Sequence, residues 1–220
     1  MKNHQLPIGG QATLFGIAVL LAAVAFAAAR EPRFETAVPV WPKGYETEMN
    51  AFFGFRAAFV ANETDRPVLR VTGCSDYRIS LNGRHVGWGP ARAAKAYFRV
   101  DEIPLVPKAG TNTIAIEVAG YNCNSFCLID QPPFLQAEIA LGGRIVAATG
   151  AAGAFEAQRL PRVQKVVRYS YQRPFTEFYR LRPGFDAWKK GTGPFVAVAL
   201  AEQPAVKLLP RRAPYRLPGF

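Results

Sequence analysis

The sequence is poor in the residues that carry most enzyme chemistry. Its 220 residues include two histidines and three cysteines. His4 lies in an apolar leader and His85 in a strand-like run, so one histidine is left for any site. There is no G-x-S-x-G, no Gly-rich phosphate loop and no dinucleotide fingerprint. These absences argue against Ser-His hydrolysis, P-loop chemistry and nicotinamide chemistry. A zinc site needs about four ligands at set spacing, and no second Cys pair joins Cys123 and Cys127. No metal and no cofactor are expected.

Cys123 and Cys127, if on a strand, share a face about 13 Å apart by strand rise. That is too far for a disulfide. An odd cysteine count leaves at least one thiol free. A bridge from Cys74 to either partner stays open beside the simpler reading of three small, buried apolar side chains.

Two further things are missing. No block of five Lys/Arg occurs, although the net charge is +11. From Glu156 to the end there are 13 Lys/Arg against 4 Asp/Glu, and before it 14 against 12. The basic excess therefore sits in the last third, scattered among Pro, Leu, Tyr and Phe. It reads as a basic surface or a face that meets further chain rather than a nucleic-acid site. Long amphipathic helical runs are also absent from Glu46 to Gly150.

What is present begins with an address. Lys2 precedes the apolar run Ala12 to Ala29, which ends in small-x-small steps before Arg30. Residues 1–29 read as a signal peptide, giving a secreted or periplasmic protein with no membrane attachment after cleavage. The alternative is a retained anchor, since an 18-residue apolar run is near the spanning minimum of roughly 17 residues. Residues 30–45 are Pro-rich and aperiodic, and read as a linker.

Residues 46–155 then carry strand signals. Tyr77, Ile79 and Leu81 alternate with Arg78 and Ser80. Asn82-Gly83 is a strong two-residue hairpin turn, because both residue types tolerate positive φ. Ile114, Ile116 and Val118 alternate with Thr113, Ala115 and Glu117, and Gly142-Gly143 suits a second hairpin. Short strands with turns roughly every 8–12 residues predict an all-β antiparallel sandwich or barrel. After Gly150 the pattern weakens. Residues 156–220 read as a C-terminal extension or, preferably, the start of a truncated second β-domain.

Three stretches, "YRISLNGRHVGWGPAR", "GYNCNSFCLIDQPPFLQAEI" and "RVQKVVRYSYQRPFTEFY", resemble the N-terminal, non-catalytic region of bacterial α-L-rhamnosidase-like glycoside hydrolases. The resemblance covers about Glu46 to Tyr179. It implies a jelly-roll β-sandwich of the galactose-binding-like type, a downstream catalytic domain as partner, and a rhamnose-containing glycan as the ligand class. Such enzymes run far longer, so it implies an accessory module and not an active hydrolase.

The carboxylates agree with that. Glycoside hydrolysis usually takes two carboxyl groups about 5–10 Å apart. Asp101 and Glu102 are adjacent and point to opposite faces, Asp76 and Asp130 border strands or turns, and Glu117 and Glu138 lie on polar strand faces. No spacing requires a pair, no catalytic residue is assigned, and a solvated or loop-bracing role is expected for each. For ligand binding, an aromatic ring beside planar polar groups suits a sugar. Trp88, Arg92, Tyr121, Asn122 and Asn124 are the candidates, with Trp41 and Arg84 as further contributors. The competing reading makes the asparagines turn caps, Trp88 core and Arg92 a loop brace. A stand-alone secreted adhesion or assembly protein with no sugar role is the other functional class. It requires residues 156–220 to pack on the sandwich.

Overall fold

The computed structural model describes residues 32–150, 154–160, 163–164 and 166–214. The expected signal peptide lies outside the described residues. Those described belong to one unit, Glu31–Phe220.

The expected hairpins form. β4 (Tyr77–Leu81) turns into β5 (Arg84–Gly89) through Asn82 and Gly83 at φ 53° and 81°. Only residues that accept the left-handed region suit both positions. Asn82 also accepts a hydrogen bond from the Thr113 N–H at 2.9 Å, tying the turn to the neighbouring strand. Likewise β8 (Leu135–Leu141) turns into β9 (Arg144–Ala148) through Gly142 and Gly143, both at positive φ.

The longest pairing joins β2 (Ala51–Ala61) to β7 (Gly110–Gly120), antiparallel from end to end. Its register places Phe53 opposite Val118, Phe55 opposite Ile116 and Ala57 opposite Ile114. With a side-chain period of two, these six face the same way. All are buried, and they build one side of the main core. β4 and β5 extend this sheet on one side, and β10 (Glu156–Arg159) on the other.

A second sheet supplies the facing half. Its order is β13 (Leu200–Glu202), β1 (Val40–Pro42), β8, β3 (Val68–Gly73), β6 (Tyr97–Pro104) and β14 (Lys207–Pro210), with β9 also on β8. Leu69, Val71, Ile103, Leu135, Ala137 and Ile139 point from it into the core. Two stacked sheets sharing one apolar interior make the β-sandwich. A two-stranded ribbon of β11 (Val163–Gln164) and β12 (Phe178–Tyr179) completes the described strands. The one helical turn described is a 3-10 segment, Ala187–Lys190. Among the described residues no helix is long and apolar enough to cross a membrane.

One expectation needs correction. The described part of the expected linker, residues 32–45, is not free: it includes β1, and Phe34, Ala37, Val40 and Trp41 are buried. The backbone N–H groups of Glu35, Thr36 and Ala37 donate to the Glu138 carboxylate, which is fully buried and fills the loop-bracing role rather than the solvated one. The described part of residues 156–214 supplies strands to both sheets of the sandwich.

The outer face of the β2–β7 sheet, expected to be polar, is largely covered as well. Trp188 lies over it with Phe52, Ala119, Tyr121 and Leu160, flanked by Phe175 and Phe195. Lys189 reaches Glu117 at 2.8 Å, and the Arg56 guanidinium sits 3.7 Å from the Phe195 ring centroid. Gly54 makes room for the indole: a Cβ there would lie 2.5 Å from Trp188 Cη2. Gly54→Val is therefore expected to lift Trp188 off the sheet and cost about 1–3 kcal/mol. Urea melts would read the loss, and a red shift of tryptophan emission would read the wetted ring.

Candidate functional site

The two ends of the sandwich differ. One end carries tight turns at 62–67, 82–83, 105–109 and 142–143. The other gathers longer connections at 43–50, 90–96 and 121–134, with the short link 74–76 among them. Loops held on a rigid scaffold are where binding residues concentrate. A cleft of about 300 Å³ opens at this end. Ser75, Asp76, Arg92, Arg99, Ser125 and Phe126 are among its lining residues.

Phe126 is 75% exposed at its mouth and meets Tyr171 edge-on. The Ser125 hydroxyl accepts from the Cys127 and Leu128 N–H groups, which fixes the loop's turn. Arg92 is exposed, and its carbonyl accepts from Arg99 Nε at 2.9 Å.

A smaller cavity of about 50 Å³ adjoins this cleft through Asp76. Around it Tyr121 donates to Glu177 at 3.3 Å, Tyr179 also donates to Glu177, and Arg78 pairs with Glu177 at 3.4 Å while donating to Tyr179. Burial first, then Glu177 and Asp76, pushes the Tyr121 phenol above its usual range. The phenol therefore stays protonated and acts as a donor. The Asp76 carboxyl is raised by burial first and then by Glu177, against the pull of Arg78 and Arg92.

That shift has a sign. A folded-state value above the unfolded one gives stability that is present below the unfolded value of 3.8 and lost as pH rises through the folded one. Asp76→Asn is expected to be slightly more stable than the parent at neutral pH. The gain is less than about 1 kcal/mol, because the group is partly exposed and screened. Thermal melts at neutral and strongly acid pH would show the gain disappearing on acidification.

The sequence-picked residues divide in two groups. Arg92 lines the cleft, while Asn124 precedes the lining residue Ser125 without lining it and donates to the Tyr171 hydroxyl at 3.2 Å. Tyr121 and Asn122 are used internally instead. The Tyr121 ring is 3% exposed and packs edge-on against Phe52, so no sugar face can stack on it as it stands. Asn122, at φ 43°, spends its amide on the carbonyls of Glu46 and Glu48. Trp41 is fully buried and donates to the Tyr45 carbonyl, which removes it as a platform. Trp88 is not core: it is 41% exposed on β5, stacked beside His85 with ring centroids 6.2 Å apart. Arg84 is exposed at the tight-turn end, away from the cleft.

Sequence reasoning missed Arg78, Glu177 and Tyr179 as a group. Glu177 and Tyr179 lie in "QRPFTEFY", a stretch that carried the family resemblance without yielding a site residue.

The cysteines make no thiol site. All three are free; Cys74 and Cys123 are buried and Cys127 is exposed. Burial pushes the Cys74 thiol up to about 11, so it is a poor nucleophile at neutral pH. Among the described residues no group of three or more His, Cys, Asp or Glu could hold a metal ion.

Neither a family model nor a curated protein matches the sequence. Solved structures do match. A GH78 family rhamnosidase of Bacillus sp. GL1 superposes with a TM-score of 0.70 and 26% identity, over 84% of this chain and 20% of that one. An α-L-rhamnosidase from Aspergillus terreus gives 0.57 and 15% identity over 80% and 22%. One from Dictyoglomus thermophilum gives 0.51 and 15% over 82% and 22%. The latter two speak for the fold alone. The chain spans about a fifth of the length of each of these proteins.

Proposed function

We propose that this chain is an exported accessory module of an α-L-rhamnosidase-like glycoside hydrolase, without catalytic activity of its own. In this reading it is the N-terminal, jelly-roll, galactose-binding-like sandwich of such an enzyme. It packs on a downstream catalytic domain and contacts a rhamnose-containing glycan weakly at its loop end. The observation that carries the reading is the match to the Bacillus rhamnosidase over 84% of this chain and 20% of that one. The polar cleft supports the glycan contact: Arg92, Asn124 and the exposed Phe126 offer guanidinium, amide and ring to a hydroxylated ligand.

The reading frame beyond Phe220 is the first test. Continuation into a helix-rich region with paired carboxylates supports the accessory role. An immediate stop, with no such region in neighbouring frames, overturns it. Affinity electrophoresis through a rhamnose-containing polysaccharide tests the ligand. Retardation that Arg92→Ala abolishes supports the cleft, and unretarded migration of the parent chain rejects it.

One observation favours the second reading, a stand-alone adhesion or assembly protein. The described residues of 156–214 join both sheets rather than standing apart from them. That reading leads if the frame stops and no glycan is bound.

A further inference from the structure

A second groove, which shares no residue with the loop-end cleft, lies where the C-terminal segment crosses the β2–β7 sheet. Its volume is about 820 Å³, within the range of roughly 300–1,000 Å³ typical of small-ligand sites. Arg159, Arg180 and Arg182 line it with Phe185, Val196 and Trp188.

Its charge is uncompensated. Arg159 is committed to Glu48 at 2.6 Å. Arg180 and Arg182 are exposed and have no acidic partner among the described residues. The nearest acidic side chains in sequence are taken: Glu177 pairs with Arg78, and Asp186 with Lys189. Two guanidinium groups without an acidic partner thus line a groove whose wall, apart from Gln158 and Arg159, is apolar. Phe185 is 37% exposed and Val196 76%.

A ligand that fits both features carries a carboxylate and an apolar face on one compact unit. A guanidinium matches a carboxylate in bidentate geometry, and an aromatic or aliphatic wall suits the C–H face of a pyranose. We propose that this groove binds the uronate units of an acidic polysaccharide. The choice of a sugar acid rests on the carbohydrate setting proposed above, whereas the need for an anion rests on the groove's own charge. Nucleic acid fits less well. Successive bases need a series of stacking rings along a basic track, and here one half-open ring serves both arginines.

The test uses the full chain and oligogalacturonate, titrated calorimetrically beside its fully methyl-esterified form. The acid is expected to bind at least tenfold more tightly than the ester. Arg180→Ala with Arg182→Ala is expected to weaken binding at least tenfold, and Phe185→Ala severalfold. Lys108→Ala, a cation removed at the tight-turn end, should leave it unchanged. Both arginines are exposed, so the double variant should keep the parent's melting temperature. No binding of the acid, equal binding of acid and ester, an unaffected double variant, or equal affinity for an oligonucleotide of matched charge would each overturn the proposal. Loss of neutral-glycan retardation in Arg92→Ala reports on the loop-end cleft alone, so the two readings fail separately.

Discussion

Glu138→Ala is expected to destabilise the protein by about 3–5 kcal/mol, the range for removing one partner from a buried charge pair. Glu138 is fully buried on β8. Its two oxygens accept from the N–H groups of Glu35, Thr36 and Ala37 at 3.0 to 3.2 Å and from Arg70 Nη1 at 2.9 Å. Arg70 also reaches Glu35 and Glu102 at 3.0 and 3.3 Å. Its basicity is raised, first by the Glu35 hydrogen bond and then, against its own burial, by Glu138. A raised value gives stability that is lost only as pH rises through it, so this pair is intact at every ordinary alkaline pH.

Alanine would leave those backbone donors without an acceptor under a covering segment. The melting temperature should fall by on the order of 10 °C, and limited proteolysis should cut first near residues 32–42. Glu138→Gln keeps an acceptor oxygen and loses the charge, so it should fall between parent and alanine. A loss below about 1 kcal/mol in the alanine variant would mean that the carboxylate does not anchor the segment.

Asp101→Ala should have an effect of similar size through a different linkage. Asp101 is fully buried on β6, accepting from the Tyr77 hydroxyl at 2.5 Å and from Arg211 Nη1 at 3.0 Å. Gly89 lets this cluster form, since a Cβ there would lie 2.1 Å from Asp101 Oδ2. Without the carboxylate, Tyr77 keeps a weak 3.4 Å contact to the Val71 carbonyl, and Arg211 loses its buried anchor. The expected cost is about 3–5 kcal/mol. Hydrogen exchange should become fast at the amides of Lys207, Leu208 and Leu209 well before the core strands are affected. Unchanged protection there would show that the backbone pairing of β14 with β6 suffices to hold it.

These two carboxylates also mark where sequence reading fails. Glu138 sits at a position that alternation assigns to an outer face, whereas Asp101 shares the inward side of β6 with Ile103, where a lone carboxylate would be costly. Chain from outside the local pattern supplies donors to both: residues 35–37 to Glu138, and Arg211 to Asp101. No periodicity within a strand encodes what lies on top of it. The hairpins and the Ile114, Ile116, Val118 face were legible because turn chemistry and side-chain alternation are local. β1, β10, β13 and β14 are three or four residues long and pair with partners far away in sequence. They carry too few residues to show a period. At the loop end, Arg92 and Asn124 were found as exposed polar groups. The grouping of Asp76 and Arg78 with Glu177 and Tyr179 depends on how the C-terminal segment crosses the sheet. Trp41 shows the converse error: an aromatic in a Pro-rich stretch looks like a platform, yet it fills the core beside Phe53.

β13 and β14 are the outermost strands of the larger sheet, and both come from residues 200–210. During synthesis the strands they border, β1 and β6, exist long before their covers. Until Leu200–Pro210 emerges, both margins of that sheet present unpaired N–H and C=O groups, the template on which foreign strands add. Closure also requires contacts spanning half the chain or more, which slows it. The nascent protein therefore passes through an adhesive intermediate whose lifetime depends on how soon Leu200–Pro210 follows. Chains cut before Leu200 should accumulate as aggregates rather than as a merely weakened fold.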